Sequence, residues 1–371
     1  MMHAQNVKVS ICLLATLIFA APSSQAYSEE SKDWKTDCVG HMQISIPGEA
    51  EIAYTPLKSM FENKSFQRFL FSDGTRAGWS WLTLVGPTHV SNRLSDVEID
   101  AFFDEAKEME KRAREYAKAN RSDDESKPEG DFERLQWGED PQFAIRVNQS
   151  FLFALVLNRH AVTLESSVDK EWLSQHTPRL RSVISNMAYR ENFSIPKLPG
   201  ICMPSLFVKG VEEKRVLVAT TYRLKAHPDI TILLEDSIAR KPGEYERPEV
   251  FTAIYKSNFF WTQDYQNYDS IENLLKFRRH NKIPFAGQRG VESMVRMIRP
   301  DKITEDFGYL VVTQGDPDAK VDTPDLMLYV IRDAQQAIKR GIKPVPKKEF
   351  FKLARQIADS VKHRGALGGE K

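Results

Sequence analysis

Cys38-Val39-Gly40-His41-Met42-Gln43-Ile44-Ser45-Ile46-Pro47 near the front of the chain and Ile201-Cys202-Met203-Pro204 past its middle decide the reading of the fold. The first alternates apolar and polar residues toward its end, as a half-buried strand does. The second runs into Leu206-Phe207-Val208, another strand pattern. Each opening is followed by several strand-like runs and a helix or two, and each half closes on an amphipathic helix. The halves match in pattern and not in identity. The sequence therefore predicts an α+β chain of two consecutive, similar sheet-plus-helix domains. The best boundary is Glu191 to Gly200, which holds two prolines and a terminal glycine. It separates an N-terminal domain over 27–190 from a C-terminal domain over 201–371.

Working outward, Phe66–Phe71 and Trp79–Val85 are aromatic-rich strand patterns around a hairpin connection at Ser72 to Arg76. Ser95 or Asp96 can cap a long helix whose apolar face carries Ile99, Phe102, Phe103, Ala106, Met109 and Ala113. Ser122 to Asp131 is acidic and turn-rich, an exposed loop. Phe143–Val147, Ser150–Leu157 and Ala161–Glu165 follow as strands. A helix is expected from Thr177, with Pro178 in its first turn. In the second half, Val216–Leu224, Ile230–Leu234, Gly308–Thr313 and Leu326–Ile331 are strand patterns, and Ile271–Phe277 is expected as a short helix. The last helix shows Phe350, Leu353, Ile357 and Val361 on one face.

Residues 1–26 have the layout of a secretory signal: Lys8, an apolar run from Val9 to Ala21, then Ser24-Gln25-Ala26 as a cleavage site. The run is shorter than the roughly 20 residues a membrane-spanning helix needs, and no later stretch is long and apolar enough to span. Lys8 is the only charged side chain removed, so the chain from Tyr27 has 51 basic and 51 acidic residues and no net charge. That balance argues against nucleic acid as a partner, since phosphate recognition leaves a basic footprint. Two cysteines remain, Cys38 and Cys202. An oxidising compartment would allow them to be bonded, and two buried free thiols are the alternative.

Catalytic signatures are missing. There is no Gly-x-Ser-x-Gly, no phosphate-binding loop and no His-Glu-x-x-His. The seven histidines after residue 26 are scattered, with no pair at metal-ligand spacing. No cofactor or metal is expected. One segment suggests recognition instead. From Phe251 to Tyr268 seven aromatic residues alternate with polar ones, and Tyr255, Phe260, Trp261 and Tyr265 are the candidate partner contacts. The plain alternative is that these rings pack into their own domain.

Trp34-Lys35-Thr36-Asp37-Cys38-Val39-Gly40-His41, then Ile44-Ser45-Ile46-Pro47, and Leu198-Pro199-Gly200-Ile201-Cys202 in the second half, together resemble one known family. It is the periplasmic immunity proteins that bacteria keep against type VI secretion phospholipase effectors, the Tli family, its fourth group. His41 stands where that family usually carries arginine. The resemblance implies an exported two-domain protein that binds and inhibits a cognate lipase in the periplasm and is not an enzyme. It supplies no contact residues. A periplasmic enzyme, or a solute-binding protein with a site assembled from distant residues, is the alternative that the residues leave open.

Overall fold

The computed structural model describes residues 33–61, 68–120, 131–136, 142–210, 216–263, 265–275, 279–319 and 322–364. The expected signal segment and all but the last residue of the acidic loop lie outside the described residues. The opening stretch folds as a hairpin and not as one strand. β1 (Trp34–Val39) and β2 (Met42–Pro47) pair antiparallel, with Val39 opposite Met42. Gly40 turns the chain at φ +58°, a left-handed conformation that costs glycine nothing. A Cβ on Gly40 would also stand 2.2 Å from a carboxylate oxygen of Asp236, so the turn needs glycine twice over.

β3 (Ala50–Ile52) follows, then the hairpin β4 (Phe69–Leu70) and β5 (Arg76–Ala77) around the expected turn. β6 (Trp81–Thr83) and β7 (Thr88–Arg93) lead into α1 (Asp96–Ala119). Ser95 caps α1 as expected: its hydroxyl accepts from the Glu98 N–H, and the Glu98 carboxylate accepts from the Ser95 N–H at 2.7 Å. β8 (Phe132–Arg134), β9 (Gln142–Val147), β10 (Ser150–Leu157) and β11 (His160–Ser167) come next. α2 (Leu173–Ser185) begins a full turn before Thr177 and contains Pro178 in its interior. Leu180, Val183 and Ile184 bury its inner face, and that packing outweighs the cost of the proline.

β12 (Met187–Tyr189), β13 (Gly200–Met203) and β14 (Leu206–Lys209) form a small sheet around the 191–199 loop. β15 (Leu217–Leu224), β16 (Ile230–Ser237) and α3 (Ala253–Gln263) follow. β17 (Ser270–Asn273), where a helix was expected, is an edge strand against β19. β18 (Asn281–Phe285), β19 (Gln288–Ile298), β20 (Glu305–Thr313) and β21 (Asp325–Arg332) complete the strand-rich region. α4 (Ala334–Lys339), α5 (Lys347–Ser360) and β22 (Lys362–His363) end the described chain.

The protein is α+β. A five-stranded antiparallel sheet, β7-β11-β10-β9-β8, packs on the α1 face that carries Phe102 and Ala106. A nine-stranded sheet runs β17-β19-β20-β21-β16-β15-β3, with β18 also on β19 and β6 also on β15. Side chains alternate across it. Ile232 and Leu234 enter the main core with α5, while Leu233 faces α3 on the other side. Strand pairing crosses the 191–200 segment in both directions. β3 and β6, from before it, pair with β15. β22, from the end of the chain, pairs with β2. One core likewise joins Ile44 and Ile46 to Phe350 and Ile357.

Candidate partner-binding surface

The two quoted openings meet. Gly40 and Cys202 exchange both backbone hydrogen bonds, at 2.8 and 2.9 Å. The sulfurs of Cys38 and Cys202 are bonded, with the Cα atoms 5.7 Å apart. Beside them lies a buried polar junction. Asp37 and Arg190 form an ion pair at 2.5 Å, with side chains at most 3% exposed. Asp37 also accepts from the Tyr222 hydroxyl at 2.9 Å and from the N–H groups of Cys38 and Phe193. Arg190 spends its other donors on the carbonyls of Met203, Ser194 and Glu191. Across the turn, Asp236 accepts from the His41 N–H at 2.6 Å and contacts its Nδ1 at 2.9 Å. A buried charge is tolerated only when it is paired and hydrogen-bonded. Asp37 and Arg190 meet that condition, while Asp236 uses one carboxylate oxygen for both His41 contacts and its other oxygen is buried without a partner; together these contacts fix how the first strands sit on the large sheet. This junction is structural and offers no open face.

The aromatic segment folds differently from a display of rings. Residues 253–263 are α3, and its inner face is Ala253, Ser257, Phe260 and Trp261. Those positions fall at helical spacing and lie against β19 and β20. The Trp261 indole N–H donates to Ser293 Oγ at 2.8 Å. A Cβ on Gly308 would reach within 2.4 Å of the Trp261 ring, so that glycine makes room for it. Phe260 is 3% exposed and Trp261 6%. Phe260 and Trp261, expected as partner contacts, are buried in this chain and anchor α3 to the sheet. Tyr265 is half-buried against both, with ring centroids 5.7 and 5.4 Å away. Tyr268 donates its hydroxyl to Asp306 at 2.7 Å, and burial together with that carboxylate holds its pKa well above the usual phenol value.

Of the four expected contacts, Tyr255 is half-buried and lines a surface groove beside α3. It stacks on Phe259, centroids 6.2 Å apart and planes at 17°, and Phe259 is 47% exposed. Trp79 joins them from the other half of the sequence, packed on Phe260 with centroids 5.1 Å apart. These rings border a groove of about 480 Å³ between α3 and the sheet. Glu235, Ser237, Lys256, Asp325 and Met327 also line it. Lys256 and Asp325 are paired at 2.9 Å. Burial raises the Glu235 pKa to about 7, with Asp325 and Asp236 adding to the rise and Lys256 opposing it. Sequence reasoning missed Trp79, Phe259 and Glu235 as neighbours. A glutamate one step beyond the apolar run Ile230–Leu234 was the only available signal.

Among the described residues, no group of three or more His, Cys, Asp or Glu side chains could hold a metal ion. Among them, too, no helix is long and apolar enough to cross a membrane.

The fold has solved counterparts. TplEi, an immunity protein of the type VI secretion system from Pseudomonas aeruginosa, solved with an "L" peptide, aligns at a TM-score of 0.56 and 16% identity, over 90% of this chain and 99% of that one. A chain of the Tle4–Tli4 complex aligns at 0.56 and 17%, over 89% and 97%. The apo structure of TplEi from the same organism aligns at 0.55 and 18%, again over 89% and 97%. At such identity the likeness is one of fold alone. No family model matches the chain. No curated protein matches it at significance.

Proposed function

We propose that this chain is a periplasmic immunity protein, exported by residues 1–26 and released by cleavage after Ala26. It binds a cognate type VI secretion phospholipase effector one-to-one, keeps it inactive in the producing cell, and has no enzymatic activity of its own. The observation that carries the reading is the length of the structural match. The fold is shared end to end with TplEi and with a chain of the Tle4–Tli4 complex, over nearly the whole of each. The four residues Trp34–Asp37 and the Cys38–Gly40 opening that suggested such a family from sequence form β1 and its turn, where Gly40 bridges to Cys202. The solved relatives also include a complex and a peptide-bound form, which supports recognition of a polypeptide.

The groove beside α3 is the surface we assign to the partner. Exposed aromatic residues with polar neighbours are the usual centres of protein interfaces. Contact residues are expected to differ from one effector–immunity pair to another, because specificity is a difference between affinities. The experiment is co-expression with a candidate type VI secretion phospholipase effector from the same organism, followed by size-exclusion chromatography. A 1:1 complex is the expected result. Two separate peaks at micromolar concentration, from folded components, would defeat the proposal.

A further inference from the structure

The groove beside α3 combines features that select one kind of occupant. Its mouth is aromatic: Trp79 is 39% exposed and Phe259 47%, with Tyr255 stacked on Phe259. Trp79 holds φ +67°, which a bulky side chain seldom adopts and which the surrounding packing must enforce. Its floor is acidic by one charge. Lys256, reaching in from α3, is neutralised by Asp325 of β21 at 2.9 Å. Asp236, next along the same strand as Glu235, points to the opposite face of the sheet and is taken by His41. Among the described residues the Glu235 side chain makes no hydrogen bond or ion pair, although Lys256 lies near enough to favour its charged form, and it is half-buried.

We propose that this groove receives an arginine side chain of the partner protein, its guanidinium lying on the aromatic rim and paired with the Glu235 carboxylate. Charge complementarity and ring chemistry argue for it together. A cation over aromatic faces is attracted by their quadrupoles. Guanidinium is planar and weakly hydrated, so it stacks and enters partly buried sites more readily than an ammonium. A carboxylate then completes a charge-assisted pair. The inference rests on the immunity reading for the partner's identity, and on the groove alone for the ligand chemistry.

The pair also has a pH signature. Glu235 titrates near pH 7 in the empty groove, because burial and the charges of Asp325 and Asp236 outweigh that of Lys256. An arginine must displace the Glu235 proton below that pH. Affinity should therefore rise about tenfold from pH 6 to pH 8, following the ionised fraction.

The test uses the mature protein with selectively labelled tryptophan indoles and N-acetyl-arginine methylamide as the probe, followed by NMR titration. The citrulline analogue has the same shape without the charge, and leucine and lysine analogues report apolar and ammonium binding. We expect shifts at Trp79, arginine at least tenfold tighter than citrulline at pH 8, and about tenfold weaker arginine binding at pH 6. Glu235→Gln should abolish the pH dependence, and Phe259→Ala should weaken binding at either pH. Equal binding of citrulline or leucine, no shift at Trp79, or a flat pH profile would overturn the proposal. Lysine binding as tight as arginine would overturn the choice of guanidinium. None of these results depends on whether the protein inhibits a lipase, so failure here and failure of the immunity reading are separable.

Discussion

Replacing Cys38 and Cys202 together with alanine tests how the two lengths of chain are held. The bond joins residues 164 apart in sequence. Releasing a loop of that length returns about 17 cal/mol/K of chain entropy to the unfolded state, or about 5 kcal/mol at 25 °C. The folded state should change far less. Both side chains are at most 1% exposed, so the double variant leaves a small void next to Phe207, and Arg364 loses its contact with Cys202 Sγ at 3.0 Å. The two backbone hydrogen bonds between Gly40 and Cys202 need no sulfur and stay. So do the Asp37–Arg190 pair and the β3–β15 and β2–β22 pairings. The variant should therefore keep a native near-UV circular dichroism spectrum in buffer, while its unfolding free energy in urea falls by about 5 kcal/mol. An unfolding free energy within about 1 kcal/mol of the oxidised wild type would refute the loop argument. Loss of the native near-UV signal without denaturant would show that the backbone bridge and buried pair cannot hold the junction.

Other outcomes follow from the same geometry. Trp261→Ala empties a core position and should lower stability by about 3–5 kcal/mol, whereas Phe259→Ala, half exposed, should cost under about 1 kcal/mol; paired thermal melts separate the two. Arg190→Met leaves Asp37 buried and uncompensated, and should cost about 3–5 kcal/mol in urea unfolding, with a smaller loss in the Asp37→Leu/Arg190→Met double variant. Glu235 has a raised pKa in the folded state, so its contribution is full below its unfolded value near 4.5 and is lost as pH rises to about 7. Unfolding free energy measured across that window should fall more steeply in wild type than in Glu235→Gln.

Local signals were legible where one residue type has one use. Ser95 with Glu98 three residues on, followed by Phe102 and Ala106, specifies the start and buried face of α1 without help from the rest of the chain. Ser150–Leu157 and His160–Ser167 flank a short turn and pair in register from Leu157–His160 outward. α3 was not legible because its buried face mixes Ala253 and Ser257 with two rings, while rings also stand on its outer side. The apolar contrast across the helix is therefore weak. Ile271 begins a short run that suits helix or strand equally, and pairing with β19 decided it. β19 itself escaped notice because Glu292, Ser293 and Arg296 make it look like surface, although Glu292 and Ser293 are at most 3% exposed. The junction of Asp37, Arg190, Tyr222 and Asp236 unites residues up to 199 positions apart, and nothing local marks a charged residue as buried. The candidate groove was half legible. Tyr255 came from the aromatic segment, but Trp79 and Glu235 reach it only through strand order.

The central claim is inhibition of an effector. The direct measurement is the activity of a candidate cognate phospholipase effector from the same organism, with the mature protein titrated in. The account predicts activity that falls linearly to near zero at one equivalent. It also predicts that Phe259→Ala and Glu235→Gln variants, still folded, need a clear excess to reach the same point. Undiminished lipase activity at several equivalents of folded protein, with cells lacking the gene surviving that effector, would contradict it.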